Sequence, residues 1–197
     1  KTSVGVLMCI NGTGILNRWV KQNFFSSLSY SQMNDLGAKA TIGTNGLVCM
    51  PFGNGAERIF QNQTLGGSFQ HVDFNRHQSA DIIRAAQEGI AFSMVYGIEL
   101  LGNVGVKPKK LKAGMANMYL SDLFTQAIVN ASGASVELLE SDGAFGAALG
   151  AGAGVGYYAN EEEAVSHIKV LKTIQPDAGL KNAYEDAYGV WKDNLPS

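Results

Sequence analysis

The sequence predicts an α/β fold, in which strands alternate with amphipathic helices, and three observations support this prediction. Residues 111–115 and 135–139 form short apolar runs that are typical of strands. Between them, over residues 120–131, apolar side chains recur at helical spacing, and the longest helical pattern of the chain precedes them at residues 79–101. A strand, a helix and a second strand in this order indicate a parallel strand pair joined by a crossover helix.

The composition is that of a folded domain. Hydrophobic residues make up 46% of the 197 residues and charged residues 16%, which is enough apolar material for a core. The net charge of −2 argues against a nucleic-acid partner, because such surfaces carry basic patches. The most apolar helical segment contains Asp81, Arg84, Glu88 and Glu99, which argues against a membrane span of ~20 mostly apolar residues. No segment resembles a signal peptide, so we expect a cytoplasmic protein.

The start of the chain is predicted to form a strand and a helix. Residues 4–10 are continuously apolar, which indicates a strand buried on both faces. Asn11-Gly12-Thr13 ends this run, and apolar residues then recur at helical spacing over 15–24, with Thr13 as the N-cap.

Long loops are predicted between this helix and the central one. We expect loop with one short helix over residues 26–46, and a strand over 46–51 that stops at Pro51. Residues 52–78 are rich in Gly, Asn and Gln, which predicts loops with little regular structure.

The long helix, with Ser79 as its predicted N-cap, carries two different faces. One face is apolar, and the other contains only Gly89, Ser93 and Gly97. Because Gly costs about 1 kcal/mol relative to Ala inside a helix, this stripe predicts that another backbone packs very close. Arg84 and Glu88 lie one turn apart, which favours a pair at a surface or an interface.

The last third of the chain predicts three more helices. Gly133 is the expected C-cap of the helix over 120–131, and Asp142-Gly143 begins a Gly/Ala-rich helix. Two tail helices are predicted from the following apolar residues: Val165, Ile168 and Leu171 for the first, and Leu180, Tyr184, Ala187, Tyr188 and Trp191 for the second. We expect the second to pack on the core, with a homodimer contact as the alternative.

The cysteines and histidines do not form a recognisable site. Cys9 and Cys49 lie inside apolar runs, which favours buried reduced thiols. His71 and His77 lack a third ligand and His167 lies in the tail, so we expect no metal site made by these residues.

Two strand-to-helix corners are candidate ligand sites, because ligands of α/β sheets bind beyond the carboxyl ends of strands. The corner at residues 113–117 exposes backbone beside small side chains, and Asn117 can both donate and accept, as adenine or ribose recognition requires. Its alternative is a tight turn in which Asn117 caps the next helix. The corner at 141–148 has the same character, with Asp142 as a simple N-cap as its alternative.

Two further patterns in the sequence resemble ligand sites but have other interpretations. The glycines at 150, 152, 154 and 156 imitate a dinucleotide fingerprint, but they follow a helical segment instead of a strand. In the loop at 53–58, Asn54, Glu57 and Arg58 can form a substrate-facing or hinge loop, and Glu57 with Arg58 can equally be a solvated pair.

In order and spacing, five segments resemble the C-terminal half of the FGGY-type carbohydrate kinases, most closely those that phosphorylate xylulose. The segments are GLVCMPFGNGAER, GSFQHV, ADIIRAAQEGIAF, AGMAN and DGAFGAALGAG. The sequence departs from the family pattern at His71, where glycine is usual, and at Gln87, where an apolar residue is usual. Two of the three glycines of the family's nucleotide corner are replaced, at Ala113 and Met115.

The resemblance implies an actin-like, ribonuclease-H-like ATPase lobe with a mixed sheet flanked by helices. It implies ATP contacts at two places. The first consists of Gly114, Met115, Ala116 and Asn117, where Met115 is expected to narrow the approach of the nucleotide to the backbone, and the second consists of Gly143, Ala144 and Gly146.

The resemblance also implies that residues 1–197 are an incomplete nucleotide-side lobe. The N-terminal sugar-binding lobe and the catalytic aspartate are expected upstream, so no catalytic residue is assigned here and the isolated chain is expected to be inactive. The implied reaction uses ATP and Mg²⁺ to phosphorylate a ketose or polyol. Alternatives are a kinase for ribulose, gluconate or glycerol, a non-catalytic scaffold, and a dinucleotide-dependent enzyme.

Overall fold

The computed structural model describes residues 5–196, in which helices pack around two separate sheets. The α-helices are α1 (Gly14–Phe24), α2 (Tyr30–Gly37), α3 (Ser79–Gly102), α4 (Asp122–Ser132), α5 (Gly143–Gly154), α6 (Glu161–Ser166) and α7 (Lys181–Asp193). The strands are β1 (Val48–Glu57), β2 (Gln63–Gln70), β3 (Lys110–Gly114), β4 (Ser135–Leu139) and β5 (Val170–Ile174). Short 3₁₀ turns occupy Ile42–Gly46, Arg58–Phe60 and Asn117–Leu120.

The first sheet is an antiparallel hairpin of β1 and β2, in a region predicted to be mostly loop. That prediction is wrong, and so is the predicted stop at Pro51, which pairs with Gly67. Each strand of a two-stranded sheet is an edge strand, so a proline that cannot donate is tolerated. Most residues of β2 are exposed, so its sequence lacks the apolar alternation by which strands are recognised.

The predicted strand at residues 4–10 is also wrong over its described part. Residues 5–10 adopt neither helix nor strand, and Val6 and Leu7 are 58% and 85% exposed; Val4 lies outside the described residues. Asn11 anchors the end of this segment to the hairpin, because its Nδ2 donates to the Ala56 carbonyl oxygen at 2.6 Å.

Helix α3 is the centre of the structure, as its two-faced pattern predicted. Fourteen of its 24 residues are buried, and it contacts α1, α2, α4, α7 and β1. A Cβ atom on Gly89 would lie 2.2 Å from the carbonyl oxygen of Cys49 in β1, which confirms the close backbone approach. The N-cap of α3 is Gln78 and not Ser79, and the Gln78 backbone N–H donates to the Asp81 carboxylate at 2.9 Å.

The second sheet has the order β3-β4-β5, with β3 and β4 parallel and β5 antiparallel to β4. The prediction of one tail helix across residues 165–171 is wrong, because α6 ends at Ser166 and residue 171 lies in β5. The β-branched residues Val170, Thr173 and Ile174 favour a strand, and β4 offers its second edge for pairing.

Helix α7 packs on the core, as expected for the second tail helix. Tyr184 and Trp191 are each 2% exposed, and Trp191 Nε1 donates to the Cys49 carbonyl oxygen at 3.0 Å. Cys49 itself is a buried free thiol, whereas Cys9 is half-buried. Within residues 5–196, none of the helices combines the length and apolar character needed to cross a bilayer.

The prediction of a surface or interface pair at Arg84 and Glu88 is wrong, because both residues are buried. Arg84 Nε lies 2.6 Å from Glu88 Oε1, and its Nη1 and Nη2 donate to the Ala40 carbonyl oxygen and the Tyr184 hydroxyl. The Gly43 backbone N–H donates to Glu88 Oε2 at 3.1 Å. The ion pair is buried because the segments that contain Ala40, Gly43 and Tyr184 cover this side of α3.

Candidate functional site

The two small-residue corners of the second sheet lie together at one cleft. Strands β3 and β4 are parallel neighbours, with Gly114 opposite Leu139, so the bends that follow them lie at the same edge of the sheet. The cleft has a volume of about 820 Å³. Its walls include the sequence-predicted residues Gly114, Ala116, Asn117 and Gly143.

Gly114 allows the two bends to touch. A Cβ atom at this position would lie 2.2 Å from the Ser141 carbonyl oxygen, so a larger residue would push the second bend away. The Met115 backbone N–H donates to the Leu139 carbonyl oxygen at 3.0 Å, which extends the strand pairing into the corner. The Met115 side chain is 44% exposed and lies outside the cleft lining, so it does not narrow the cleft as the resemblance implied.

The second corner begins α5. Asp142 Oδ1 accepts a hydrogen bond from the Phe145 backbone N–H at 2.8 Å, so Asp142 is the N-cap of this helix. Gly143 lines the cleft, whereas Ala144 and Gly146 lie on exposed helix outside the cleft lining. A Cβ atom on Gly146 would meet nothing within 4 Å, which leaves open space beside it.

Asn117 does not cap α4. Ser121 is the N-cap, since its Oγ accepts from the Phe124 backbone N–H at 3.4 Å, and Asn117 instead opens a 3₁₀ turn with a φ of 52°. That prediction was therefore wrong, and the side chain of Asn117 is not used for capping. Asn117 lies where the large cleft meets a second cavity of about 290 Å³, because it lines both.

Polar side chains that the sequence reasoning missed line this second cavity. Asn17 in α1 is 8% exposed, and its Oδ1 atom has no hydrogen-bond partner among the described residues. The signal in the sequence was the spacing of Asn17, which lies three residues before the apolar Val20 and therefore on the same face of the helix. Val20 is fully buried in the structure. Asn34 in α2 and Ser121 line the same cavity.

The large cleft also contains residues from the start of the chain that were not predicted. Asn11, Thr13 and Gly14 are part of its lining, and Lys112 of β3 lines it as well. The signal was the stretch Asn-Gly-Thr-Gly at 11–14, a small-residue corner like the two that were singled out. A Cβ atom on Gly12 would overlap the Pro51 carbonyl oxygen, at 1.4 Å, so this corner also depends on a glycine.

The chain is similar in sequence to known sugar kinases. A xylulose kinase of Staphylococcus epidermidis is 28% identical over 177 residues, an alignment that covers 88% of this chain and 35% of that protein. A xylulose kinase from a second strain of the same species is 27% identical over 177 residues, with the same coverage of both chains. The chain spans about a third of the length of these curated relatives. No protein-family model matches the chain.

Solved structures show that the fold is that of a sugar-kinase lobe. A ligand-bound xylulose kinase of Lactobacillus acidophilus superposes with a TM-score of 0.78 at 21% identity, over 91% of this chain and 37% of that one. A gluconate kinase of the same organism superposes with a TM-score of 0.77 at 22% identity, again over 91% and 37%. The mixed sheet flanked by helices is therefore the fold of the corresponding part of these two kinases.

The loop with Asn54, Glu57 and Arg58 joins the start of the chain to the hairpin through hydrogen bonds. Glu57 is fully buried and its Oε2 accepts from the Asn11 backbone N–H at 3.1 Å, so the alternative of a solvated Glu57–Arg58 pair is wrong. Asn54 Nδ2 donates to the Asn11 carbonyl oxygen at 3.1 Å. Both contacts position Asn11, which lines the cleft.

Few charged groups line the cleft among the described residues. Among the described lining residues, Lys112 is the cation and Asp142 is the carboxylate. Burial raises the pKa of the Tyr119 hydroxyl, which therefore stays neutral at physiological pH. No group of three His, Cys, Asp or Glu residues within 5–196 is arranged to hold a metal ion.

Proposed function

We propose that this chain forms the ATP-side wall of a sugar kinase that converts D-xylulose to D-xylulose 5-phosphate. The observation that carries the proposal is the meeting of the Gly114 and Asp142–Gly143 bends in one cleft at the carboxyl ends of two parallel strands. The relationship to kinases over most of the chain supports the same reaction class.

The nucleotide phosphates are proposed to lie against the two bends. The start of α5 presents backbone N–H groups and the positive end of its helix dipole, which favour an anion. Lys112 adds a cation in the same cleft. Phosphoryl transfer depends mainly on positioning and charge stabilisation, and a glycine-lined corner with one lysine supplies both to a phosphate chain.

The base and ribose are proposed to extend past Asn117 into the second cavity. Its lining combines the apolar surfaces of Tyr30, Met118 and Leu120 with amide groups, a combination typical of small-molecule sites. Ala144 and Gly146, which the resemblance assigns to the nucleotide, remain proposed contacts at the outer end of the cleft.

Mg²⁺ is proposed to arrive with ATP instead of residing in this lobe. Mg²⁺ in kinases is held by one or two carboxylates together with the substrate phosphates. Asp142 is the one carboxylate among the described cleft residues, and it already caps α5. These residues fit a metal–nucleotide complex better than a resident ion, and the metal's function would be to neutralise phosphate charge.

The choice of sugar is the finer part of the proposal. Xylulose is favoured by the curated relatives, whereas the gluconate kinase has nearly the same fold similarity. The N-terminal lobe is proposed to hold the sugar and the catalytic aspartate, with Asn54, Glu57 and Arg58 forming a hinge or substrate-facing loop. A scaffold without nucleotide binding loses its main support, because Met115 lies outside the cleft.

The test is ATP binding by a variant that separates the two bends. Gly114→Ala places a Cβ atom 2.2 Å from the Ser141 carbonyl oxygen, so we expect ATP affinity to fall about tenfold or more. Gly150→Ala in α5 is the matched control, because its Cβ atom would meet nothing within 4 Å. Calorimetric titration of both variants measures the effect, and wild-type affinity in Gly114→Ala would refute the placement of the nucleotide.

A further inference from the structure

Gln87 is a fully buried amide that joins three helices beside the second cavity. It lies in α3 with 0% exposure. Its Nε2 donates to Asn34 Oδ1 in α2 at 2.8 Å, and its Oε1 accepts from the Ser121 hydroxyl, the N-cap of α4, at 2.6 Å. A buried amide without hydrogen-bond partners costs free energy, so the folded state favours the orientation of Gln87 in which both partners are bound.

The direction of this hydrogen-bond chain is set by the backbone. The Phe124 N–H can only donate, and it donates to Ser121 Oγ. Ser121 is 3% exposed, and the acceptor for its hydroxyl proton is Gln87 Oε1. Rotating the Gln87 amide would leave that buried proton without an acceptor, so Gln87 must present its N–H groups to Asn34.

Asn34 therefore has a fixed orientation in the cavity wall. Its Oδ1 accepts from Gln87, which leaves the Nδ2–H groups for whatever enters the cavity that Asn34 lines. Asn17 lines the same cavity with an unpartnered Oδ1 and is 8% exposed. The cavity wall thus combines a fixed donor from Asn34 with a buried Asn17 oxygen atom that has no partner among the described residues.

We propose that Gln87 is a positioning residue that selects adenine by holding Asn34 as a hydrogen-bond donor to a ring nitrogen of the base. This inference rests on the proposed ATP binding. Adenine carries an exocyclic amino donor next to ring-nitrogen acceptors, which matches the acceptor of Asn17 and the donor of Asn34. Tyr30 and Leu120 supply apolar surface for the faces of the ring.

The experiment compares ATP with 1-deaza-ATP and 7-deaza-ATP, each of which replaces one ring nitrogen by C–H. In the full chain, one of the two analogues is expected to bind about tenfold more weakly than ATP, because the Asn34 donor loses its acceptor. In Asn34→Asp, ATP and that analogue should bind equally, because the carboxylate still accepts from Gln87 but cannot donate. Thermal unfolding of this variant should match the wild type.

Gln87→Leu provides the independent test of positioning. It releases the Asn34 amide, so the ratio of the analogue and ATP dissociation constants should fall from about tenfold towards one. A purely structural role would lower the unfolding temperature and leave the ratio unchanged, which would overturn the inference. Equal binding of all three nucleotides to the wild type would also overturn it while the proposed function stands, whereas failure of ATP to bind would refute the proposed function itself.

Discussion

Arg84 and Glu88 form an ion pair that three parts of the chain close off from water. The Arg84 guanidinium also donates to the Ala40 carbonyl oxygen and the Tyr184 hydroxyl, and Glu88 accepts from the Gly43 N–H. Burial raises the pKa of the Glu88 carboxyl, while the neighbouring Arg84 charge opposes this shift. Burying these two charges costs desolvation free energy, which is offset only while the ion pair and its hydrogen-bond partners are all present.

Arg84→Met should destabilise the protein strongly, because it leaves the Glu88 carboxylate buried without its cation. The expected loss is about 3–5 kcal/mol in the free energy of unfolding. Lys192→Met is the matched control, because it breaks an exposed ion pair with Glu99 and should cost about 0–1 kcal/mol. Urea denaturation measures both values, and equal losses in the two variants would contradict this interpretation.

Gly89 and Gly97 lie on the same face of α3 but differ in what surrounds them. An added Cβ atom on Gly89 meets the backbone oxygen of Cys49 at 2.2 Å, whereas on Gly97 it meets the flexible Met8 side chain at 2.3 Å. Gly89→Ala should therefore cost about 1–3 kcal/mol by overpacking. Gly97→Ala should be neutral or stabilise by up to about 1 kcal/mol, because alanine favours the helix and Met8 can move. Thermal unfolding distinguishes them, and matching shifts would argue against the close contact with β1.

At the residue scale, the role of a side chain could be predicted from the sequence where that role depends only on residues nearby in the chain. Gly133 as a C-cap and Asp142 as an N-cap were predictable because both act within one turn of a helix. Asn17 and Asn34 were not, because they line one cavity only when α1 and α2 both pack against α3. Gln87 was noticed as a departure, but its two partners are 53 and 34 residues away in the sequence.

At the element scale, α7 is held to α3 by the Tyr184 hydroxyl as well as by apolar packing. Burial raises the pKa of Tyr184 to about 12, from a value of ~10 in an unfolded chain. Because the folded state binds this proton more tightly, the resulting stability is complete below pH ~10 and is lost as the pH rises towards 12. The contribution is at most about 3 kcal/mol.

Tyr184→Phe should therefore reduce the loss of stability at alkaline pH. The wild type is expected to lose more unfolding free energy than the variant between pH 9 and pH 11.5, although the variant starts lower because Arg84 loses a partner. Tyr157→Phe is the control, since Tyr157 is 79% exposed and should keep the wild-type profile. Guanidinium titrations across this pH range give the comparison, and parallel profiles for Tyr184→Phe and the wild type would contradict the assignment.

The helices and strands that pack against the core on one clear face were predicted from the sequence. Helices α3, α4 and α7 and strands β3 and β4 all carry such a face. The strand predicted over 46–51 matches the buried first half of β1. The second half of β1 and strands β2 and β5 were not predicted, because most of their residues are exposed and their periodicity is weak. The opposite error occurred at residues 5–10, where an apolar run has no strand partner and forms neither helix nor strand.

At the scale of the whole molecule, the cleft combines elements that are distant in the sequence. It is formed by the 11–14 corner, by the bend after β3 and by the bend after β4. The last two were predictable because they share one sheet edge, and their contact at Gly114 follows from the parallel pairing. The contribution of residues 11–14 was not predictable, because it depends on Gly12 lying against Pro51 in a hairpin that the sequence did not indicate.

The chemistry available in this cleft predicts binding without turnover by the 197-residue chain. A kinase needs a general base within hydrogen-bond reach of the sugar hydroxyl, and the one carboxylate among the described cleft residues, Asp142, is engaged with the Phe145 N–H. We expect the chain to bind ATP and to release no ADP in response to xylulose, gluconate or glycerol in a coupled assay. Sugar-dependent ADP release that Gly114→Ala abolishes would contradict this expectation, because it would place the catalytic base within the chain itself. Release that Gly114→Ala leaves unchanged would instead indicate a contaminating kinase.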